Sequence, residues 1–456
     1  MKVVLLSGGS GKRLWPLSND SRSKQFLKLL KSPDGRPESM VQRVWRQLAS
    51  CGLGRSAYIA TARSQVDVLH NQLGPDVPLI VEPSRRDTFP AIALSVLYLV
   101  SEAGVPSDET IAVLPVDPYV DDAFFERVQQ LDFVLRDSGA DLALIGVRPT
   151  HPSEKYGYIV PESAVSGRTY ADVRRFTEKP SADEAERLIA EGALWNCGVF
   201  AFRAGFLLGE LRARGLPAEY RAFRDAYDRL TAISFDYEVV EKVRRAVVMP
   251  YEGAWKDLGT WDALTEEMDG PVWGRGVIGP DSDGAHVVNE LDIPVAVLGV
   301  PNVIVAAGPD GILVADRAAS PRAKEVANEI RQRVMYEERR WGWYRVLDYA
   351  KLADGNEMLT RRVCLLEGRN LSYHVHRKRM ETWTVLSGRG LVVLDDHQFS
   401  IQAGDVVRVH AGCRHSVKAL SELEFIEVQS GPEVHEDDIE RICMRWEDIP
   451  SRHSPA

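Results

Sequence analysis

The stretch that most constrains this chain is its beginning. KVVLL (2–6) is a continuous apolar run stopped by Ser7-Gly8-Gly9, the pattern of a parallel strand buried on both faces. The glycines continue through Gly8-Gly9-Ser10-Gly11-Lys12-Arg13, where a first helix should begin. Closely spaced glycines let backbone N–H groups approach phosphate oxygens, and a helix N-terminus adds positive potential. Two familiar phosphate loops are excluded. A Walker A loop needs Gly at position 6 and Ser or Thr at 13, where Leu6 and Arg13 stand. A dinucleotide fingerprint starting at Gly9 needs Gly or Ala at Leu14. Taken alone, the loop reads equally well as a structural turn.

Further short strand candidates follow at 57–61, 78–81, 111–116 and 141–147, with helical stretches between them, notably 91–103 and 122–137. This alternation predicts a doubly wound α/β domain, Rossmann-like, over 1–265. From 275 to 317 the texture changes to short β runs punctuated by Gly, Pro and Asn, which predicts a small β linker domain resembling a β-helix. A charged helix is expected over 321–342, closing a linker region of 266–342. Regularly spaced strands with turn residues then predict an all-β barrel or sandwich in a last domain, 343–456. Seven of the ten histidines lie between His374 and His453, which marks the compositional break.

With 456 residues, two to three domains are expected. The 56 basic and 66 acidic residues give a net charge of −10, which argues against a general nucleic-acid or membrane-surface binder. No window has the roughly 18–20 apolar residues of a membrane span. The N-terminal run is read as a strand rather than a signal peptide. Five widely spaced cysteines without a CxxC pair fit a reduced, cytoplasmic chain.

The string LLSGGSGKRLWPLS, followed by SKQFLKL, resembles the signature GGxGTRLWPLS…PKQF of the mannose-1-phosphate guanylyltransferases, a family of sugar-1-phosphate nucleotidylyltransferases. Lys12 replaces Thr and Ser23 replaces Pro. VEPSRRDTFPAIA (81–93), LPVDPYV (114–120), YGYIV (156–160), FTEKP (176–180), WNCGVFAF (195–202), SFDYEVVEK (234–242) and AWKDLGTW (254–261) follow in family order. Asp87 takes an Asn position and Pro118 a His position.

The resemblance implies in-line nucleotidyl transfer, which asks a protein mainly to position groups and neutralise charge. It assigns the carboxylates that hold Mg²⁺ to Asp117 and Asp257. Asp117 follows an apolar strand and should emerge at the carboxyl edge of the sheet, where open α/β sheets bind ligands. Arg13 and Lys24 would neutralise the triphosphate of GTP, with Gly8, Gly9 and Gly11 in the loop and Glu82 and Arg86 in the nucleotide block. Lys179 would meet the sugar phosphate, Glu178 and Asn196 the sugar hydroxyls, and the Gly157 backbone the sugar. Mannose 1-phosphate and GTP would give GDP-mannose and pyrophosphate.

In the last domain, Gly368, His374, His376, Glu381 and Gly388 have first-cupin-motif spacing, and Gly404 through His415 resembles the second motif. Positions 374 and 376 of a strand share a face. With Glu381 and His415 they could complete a site of three nitrogens and one oxygen for Zn²⁺ or another divalent transition metal. LSYHVHRKRMETW and FIEVQSGPEVHEDDIER resemble the type II phosphomannose isomerase domain, so fructose 6-phosphate and mannose 6-phosphate are the implied substrates. Arg379 and His410 are candidates for its pocket, whereas His435 is expected on the surface. The ending ICMRWEDIP departs from that family's DxYGR-like string.

Two other readings remain at this level. One keeps the transferase with another sugar phosphate, such as a heptose, or another base, and makes the cupin silent or differently specific. The other is a non-catalytic sugar-nucleotide-binding regulator, which should lack Arg13, Lys24, Asp117 or Asp257. The β linker and charged helix offer surfaces for homo-oligomer formation.

Overall fold

The computed structural model describes all residues except 10, 11, 20, 163–167, 331, 396, 436 and 451–456. Gly11, an expected member of the phosphate loop, lies outside the described residues. The chain forms two compact units. The first comprises Met1–Leu14, Ser23–Val66 and Asp76–Pro271; the second comprises Trp15–Arg22, Asp67–Pro75 and Val272–Ala456.

The first unit is built on a nine-stranded mixed sheet. Its strands Lys2–Ser7, Ala57–Ala62, Leu79–Glu82 and Thr110–Pro115 pair in parallel. Leu194–Arg203 joins Thr110–Pro115 antiparallel, so the sheet changes sense there. Leu142–Val147 is buried along its whole length, as the apolar run requires of a central strand. Helices cover the sheet where the sequence supplies both apolar spacing and caps. Met40–Ser50 starts with a reciprocal capping box between Ser39 and Gln42. Asp122–Ser138 is capped by Asp121 and stops at Gly139, whose φ of 65° suits glycine. Thr88–Ser101 buries Ile92, Val96 and Leu99 completely.

In the second unit, Val272–Gly274, His286–Asn289 and Val303–Gly308 pair in parallel, as do Gly276–Ile278 and Val295–Val297. Parallel stacking of such short strands agrees with the expected β-helix-like linker. The expected charged helix over 321–342 is much shorter: α-helix covers Ala323–Glu329, after a 3₁₀ segment Arg317–Arg322. Tyr336–Arg339 is instead a strand paired with Gly342–Lys351. Ladder pairing there outweighs the helical charge pattern.

The remaining strands form a six-stranded and a five-stranded sheet, packed over a core that includes Trp383, Val392, Val417 and Phe425. The barrel-or-sandwich expectation therefore holds. Among the described residues no helix is long and apolar enough to cross a membrane.

Candidate active sites in the two units

Parallel strands bring their carboxyl ends to one edge, and the candidate residues of the first unit gather there. Lys2–Ser7 delivers Gly8 and Gly9; Leu79–Glu82 ends on Glu82; Thr110–Pro115 leads to Asp117. The edge opens into a cleft of about 340 Å³ lined by Gly8, Gly9, Lys24, Glu82, Arg86 and Asp117, among others.

Pro118–Val120 pairs antiparallel with Trp255–Asp257, placing Asp257 opposite Pro118 and next to Asp117. Lys24 sits between the two carboxylates, with Nζ 2.8 Å from Asp117 Oδ2 and 2.8 Å from Asp257 Oδ1. Burial opposes the charge on Lys24, but both carboxylates outweigh it and hold the ammonium above its usual range. Asp257 is likewise held down: burial pushes it up, and Lys24 followed by Arg13 outweighs that effect. Arg13 is exposed, with its charge reaching Asp257 and Tyr156. Each carboxylate gives one oxygen to Lys24, and the second oxygen suits a hard cation such as Mg²⁺.

Glu82 is buried, and the Tyr227 hydroxyl donates to its Oε2 at 2.8 Å. Burial raises this carboxyl above its usual range. A Cβ on Gly8 would stand 3.0 Å from Glu82 Oε1, so the loop comes close here. Arg86 is half-buried and donates to the Asp228 carbonyl. Asp87 caps the next helix at φ 66° and ψ −175°, a conformation nearly confined to glycine, and its Oδ1 accepts from the Thr88 N–H at 2.7 Å.

Asn196, Glu178, Lys179 and Gly157 come together. The Asn196 backbone N–H donates to the Gly157 carbonyl at 2.8 Å, and a Cβ on Gly157 would lie 2.5 Å from Glu178 Oε2. That same Oε2 is buried without a hydrogen-bond partner among the described residues, leaving an acceptor for a hydroxyl. Lys179 Nζ donates to Glu178 Oε1 at 2.8 Å.

Asp236 was not singled out from sequence. It lines the cleft and accepts from Asn196 Nδ2 at 2.7 Å, while Asn196 Oδ1 accepts from the Gly198 N–H at 3.0 Å. The amide is thus fixed in orientation. Burial, then the charge of Glu178, pushes Asp236 up to about 7. Its only sequence signal was membership of the SFDYEVVEK block.

In the second unit, His374 and His415 are cross-strand partners, and His376 follows on the same face. The three imidazoles offer nitrogens within 4.8 Å of one another and are all buried. Each Nδ1 faces a backbone carbonyl: Ser372 at 2.6 Å, Asp438 at 2.5 Å and Cys413 at 3.1 Å. A carbonyl only accepts, so each Nδ1 carries the proton and each Nε2 presents a lone pair.

Glu381, from the facing sheet, lies 3.1 Å from His376 Nε2 and 3.7 Å from His415 Nε2. It also accepts from Gln429 Nε2 at 3.0 Å and Trp383 Nε1 at 3.1 Å. Among the described residues His415 Nε2 is buried without a hydrogen-bond partner. Burial, then the neighbouring rings, pushes His374 down to about 3. Neutral rings with converging lone pairs, one of them orphaned, fit a divalent transition metal.

Arg379 is buried beside this group, donating to the His435 carbonyl at 2.7 Å and lying 3.2 Å from His376 Nε2. His410 is exposed and is not part of the imidazole group. His435 is exposed and pairs with Asp437 at 3.0 Å. Gln429 and Trp383, which brace Glu381, were not singled out from sequence.

Comparison with known proteins gives the family of each part of the chain. Residues 2–270 match the nucleotidyl transferase family model, and residues 326–444 match the model for the C-terminal domain of mannose-6-phosphate isomerase. The xanthan biosynthesis protein XanB of Xanthomonas campestris pv. campestris (strain B100) is 32% identical, with 98% of each chain covered. The mannose-1-phosphate guanylyltransferase RfbM of Salmonella typhimurium is 29% identical, covering 97% of this chain and 96% of its own. Among solved structures, a mannose-1-phosphate geranyltransferase of Thermus thermophilus is 31% identical with a TM-score of 0.62, covering 72% of this chain and 98% of its own. The chain belongs to the nucleotidyl transferase family and carries a C-terminal domain of the mannose-6-phosphate isomerase family.

Proposed function

We propose that the first unit transfers GMP from GTP to mannose 1-phosphate, giving GDP-mannose and pyrophosphate. The observation that carries this reading is the bridge from Lys24 to Asp117 and Asp257, 2.8 Å on each side, at the rim of the glycine-lined cleft. An oxygen of the sugar phosphate attacks the α-phosphorus of GTP, that P–O bond forms, and the bond to the pyrophosphate leaving group breaks. Bound Mg²⁺ would supply charge neutralisation at the phosphates, held by Asp117 and Asp257. Lys24 and Arg13 lower the cost of bringing a polyanionic triphosphate to these carboxylates. Gly8, Gly9, Glu82 and Arg86 line the nucleotide side. Lys179 faces the sugar phosphate, and Glu178, Asn196 and Gly157 bind the mannose hydroxyls, with Glu178 Oε2 a free acceptor.

The second unit would interconvert fructose 6-phosphate and mannose 6-phosphate, a reading supported by the three converging imidazoles. A divalent metal such as Zn²⁺ would be held by His374, His376, His415 and Glu381 and would polarise the sugar oxygens. Arg379 holds a positive charge beside them. The five unpaired cysteines support a cytoplasmic setting. Exposed Val277, Leu298 and Val314 in the β-rich segment support self-association there.

The test is pyrophosphate release with Mg²⁺, GTP and mannose 1-phosphate, alongside other nucleotides and sugar phosphates. Selective release with this pair is expected. Release with a different pair would keep the mechanism and replace the substrates, and no release with any pair would remove the transferase reading. Isomerase activity is read separately, from fructose 6-phosphate formed out of mannose 6-phosphate with Zn²⁺, Co²⁺ or Mn²⁺ added.

A further inference from the structure

Beneath the phosphate loop lies a buried polar cluster whose Ser23 and Gln65 are accounted for neither by the family signature nor by the proposed ligand contacts. The Ser23 hydroxyl donates to the Gly9 carbonyl at 2.8 Å. Gln65 Nε2 donates to the same carbonyl at 3.1 Å and to Ser23 Oγ at 2.8 Å. Gln65 Oε1 in turn accepts from Thr61 Oγ1 at 3.2 Å and Ser7 Oγ at 3.4 Å. Gln25 Nε2 donates to Ser7 Oγ at 3.2 Å. Ser23, Gln65 and Thr61 are fully buried, and Ser7 is 1% exposed.

The cluster joins three segments that the cleft depends on. Gly9 belongs to the loop, Ser23 immediately precedes Lys24, and Gln65 ends the 3₁₀ turn Arg63–Gln65 that follows the strand Ala57–Ala62. Gly9 and Lys24 both line the cleft. A carbonyl left free on that loop could turn its negative end toward incoming phosphates. Two side-chain donors hold it back.

We propose that Ser23 and Gln65 are positioning residues for nucleotidyl transfer: together they tie the Gly9 carbonyl into the protein and hold the loop and Lys24 in one register for the triphosphate. The inference rests on the reading of this loop as the GTP seat. Neither residue touches substrate; both act through Gly9 and Lys24. Ser23 stands where the family signature has proline, so this lock belongs to the present chain's own sequence. Its φ of −68° also suits proline, and substitution there can remove the hydroxyl while keeping the backbone.

The experiment measures kcat and both KM values in the full chain for Ser23→Pro, Ser23→Thr, Gln65→Leu and the Ser23→Pro/Gln65→Leu double variant, each with a thermal melt. Each lost bond of this kind is worth roughly three- to tenfold. The double variant is therefore expected to raise KM for GTP by about tenfold or more, with KM for mannose 1-phosphate within about twofold. Ser23→Thr, which keeps a hydroxyl, is expected to restore the parent KM for GTP. The proposal is overturned by an unchanged KM for GTP in the double variant, or by both KM values rising together with a lower melting temperature. Lys24→Met separates the two levels. If it too leaves GTP kinetics untouched, the reading of the loop falls and takes this inference with it; if it disrupts them while the double variant does not, only the positioning role falls.

Discussion

The Nε2 atoms of His374 and His376 face each other at 3.0 Å. Both rings have their Nδ1 protons committed to carbonyls, so two lone pairs meet in a buried space. Arg379 Nη2, 3.2 Å from His376 Nε2, donates to one of these lone pairs. The lone pair of His415 Nε2 has no hydrogen-bond partner among the described residues, and His374 is pushed down to about 3, too low to supply an imidazolium at neutral pH. A divalent metal among the three rings would take up the lone pairs that Arg379 leaves. Metal analysis of the protein as isolated should find about one equivalent of a transition metal per chain on this unit. Chelation should lower the melting temperature of the second unit by several degrees, since a ligand at 100 times its Kd stabilises by about 2.7 kcal/mol. His415→Ala should abolish both the metal and the chelator effect. A melt indifferent to chelator and to added Zn²⁺ would refute the site.

Lys24 gives a sharper test in the first unit. Replacing it by Met leaves Asp117 and Asp257 facing each other without the charge between them. Loss of a group that neutralises charge at a reacting phosphate should lower kcat by about 10²–10³-fold. Asp257→Asn weakens the same bridge from the other side, and steady-state pyrophosphate release should fall at least as far. Near-parent turnover in either variant would show that the bridge is structural.

How much of this was legible in the sequence depended on how local each feature is. Gly8, Gly9 and Asp117 sit just after strand ends, and strand ends follow from apolar runs, so their meeting at one sheet edge could be read in advance. Lys24 opens a 3₁₀ turn far from any strand end, and only the family resemblance pointed to it. His374 and His376 share a face by strand alternation alone. Glu82 could not be told from an exposed loop residue, because its burial depends on Tyr227, 145 positions away. Gln65 and Asp236 were invisible for the same reason: an isolated Gln or Asp has no pattern until packing gives it partners. The charged run over 321–342 misled in the opposite direction. Its spacing suits a helix, yet Tyr336–Arg339 finds a strand partner in Gly342–Lys351, and tertiary pairing overrides a weak local preference.

Gly157 is required by its neighbours. A Cβ at this position would fall 2.5 Å from Glu178 Oε2 and 2.9 Å from the Phe176 ring. Gly157→Ala must displace the carboxylate that offers a free acceptor to the sugar. We expect KM for mannose 1-phosphate to rise about tenfold and stability to drop by about 1–3 kcal/mol from overpacking. KM for GTP should stay near the parent value. A rise confined to KM for GTP would place the sugar elsewhere.

Asp236 should give the first unit a pH-dependent stability. Burial and Glu178 raise its carboxyl to about 7, against opposing contributions from Lys179 and the Asn196 hydrogen bond. An unfolded chain releases this proton near pH 3.9. Between roughly pH 4 and 7 the folded protein therefore binds a proton that the unfolded chain does not. The stability linked to the neutral carboxyl is whole below the unfolded value and is lost as pH rises through about 7. Asp236→Asn keeps an acceptor for Asn196 Nδ2 and never ionises. The variant should gain on the parent from pH 5 to pH 8, with most of the gain complete near the raised value. Urea midpoints for the two proteins across that range measure the difference. A difference that does not change with pH would mean that Asp236 is already ionised at pH 5, and that burial and the charge of Glu178 do not hold its proton.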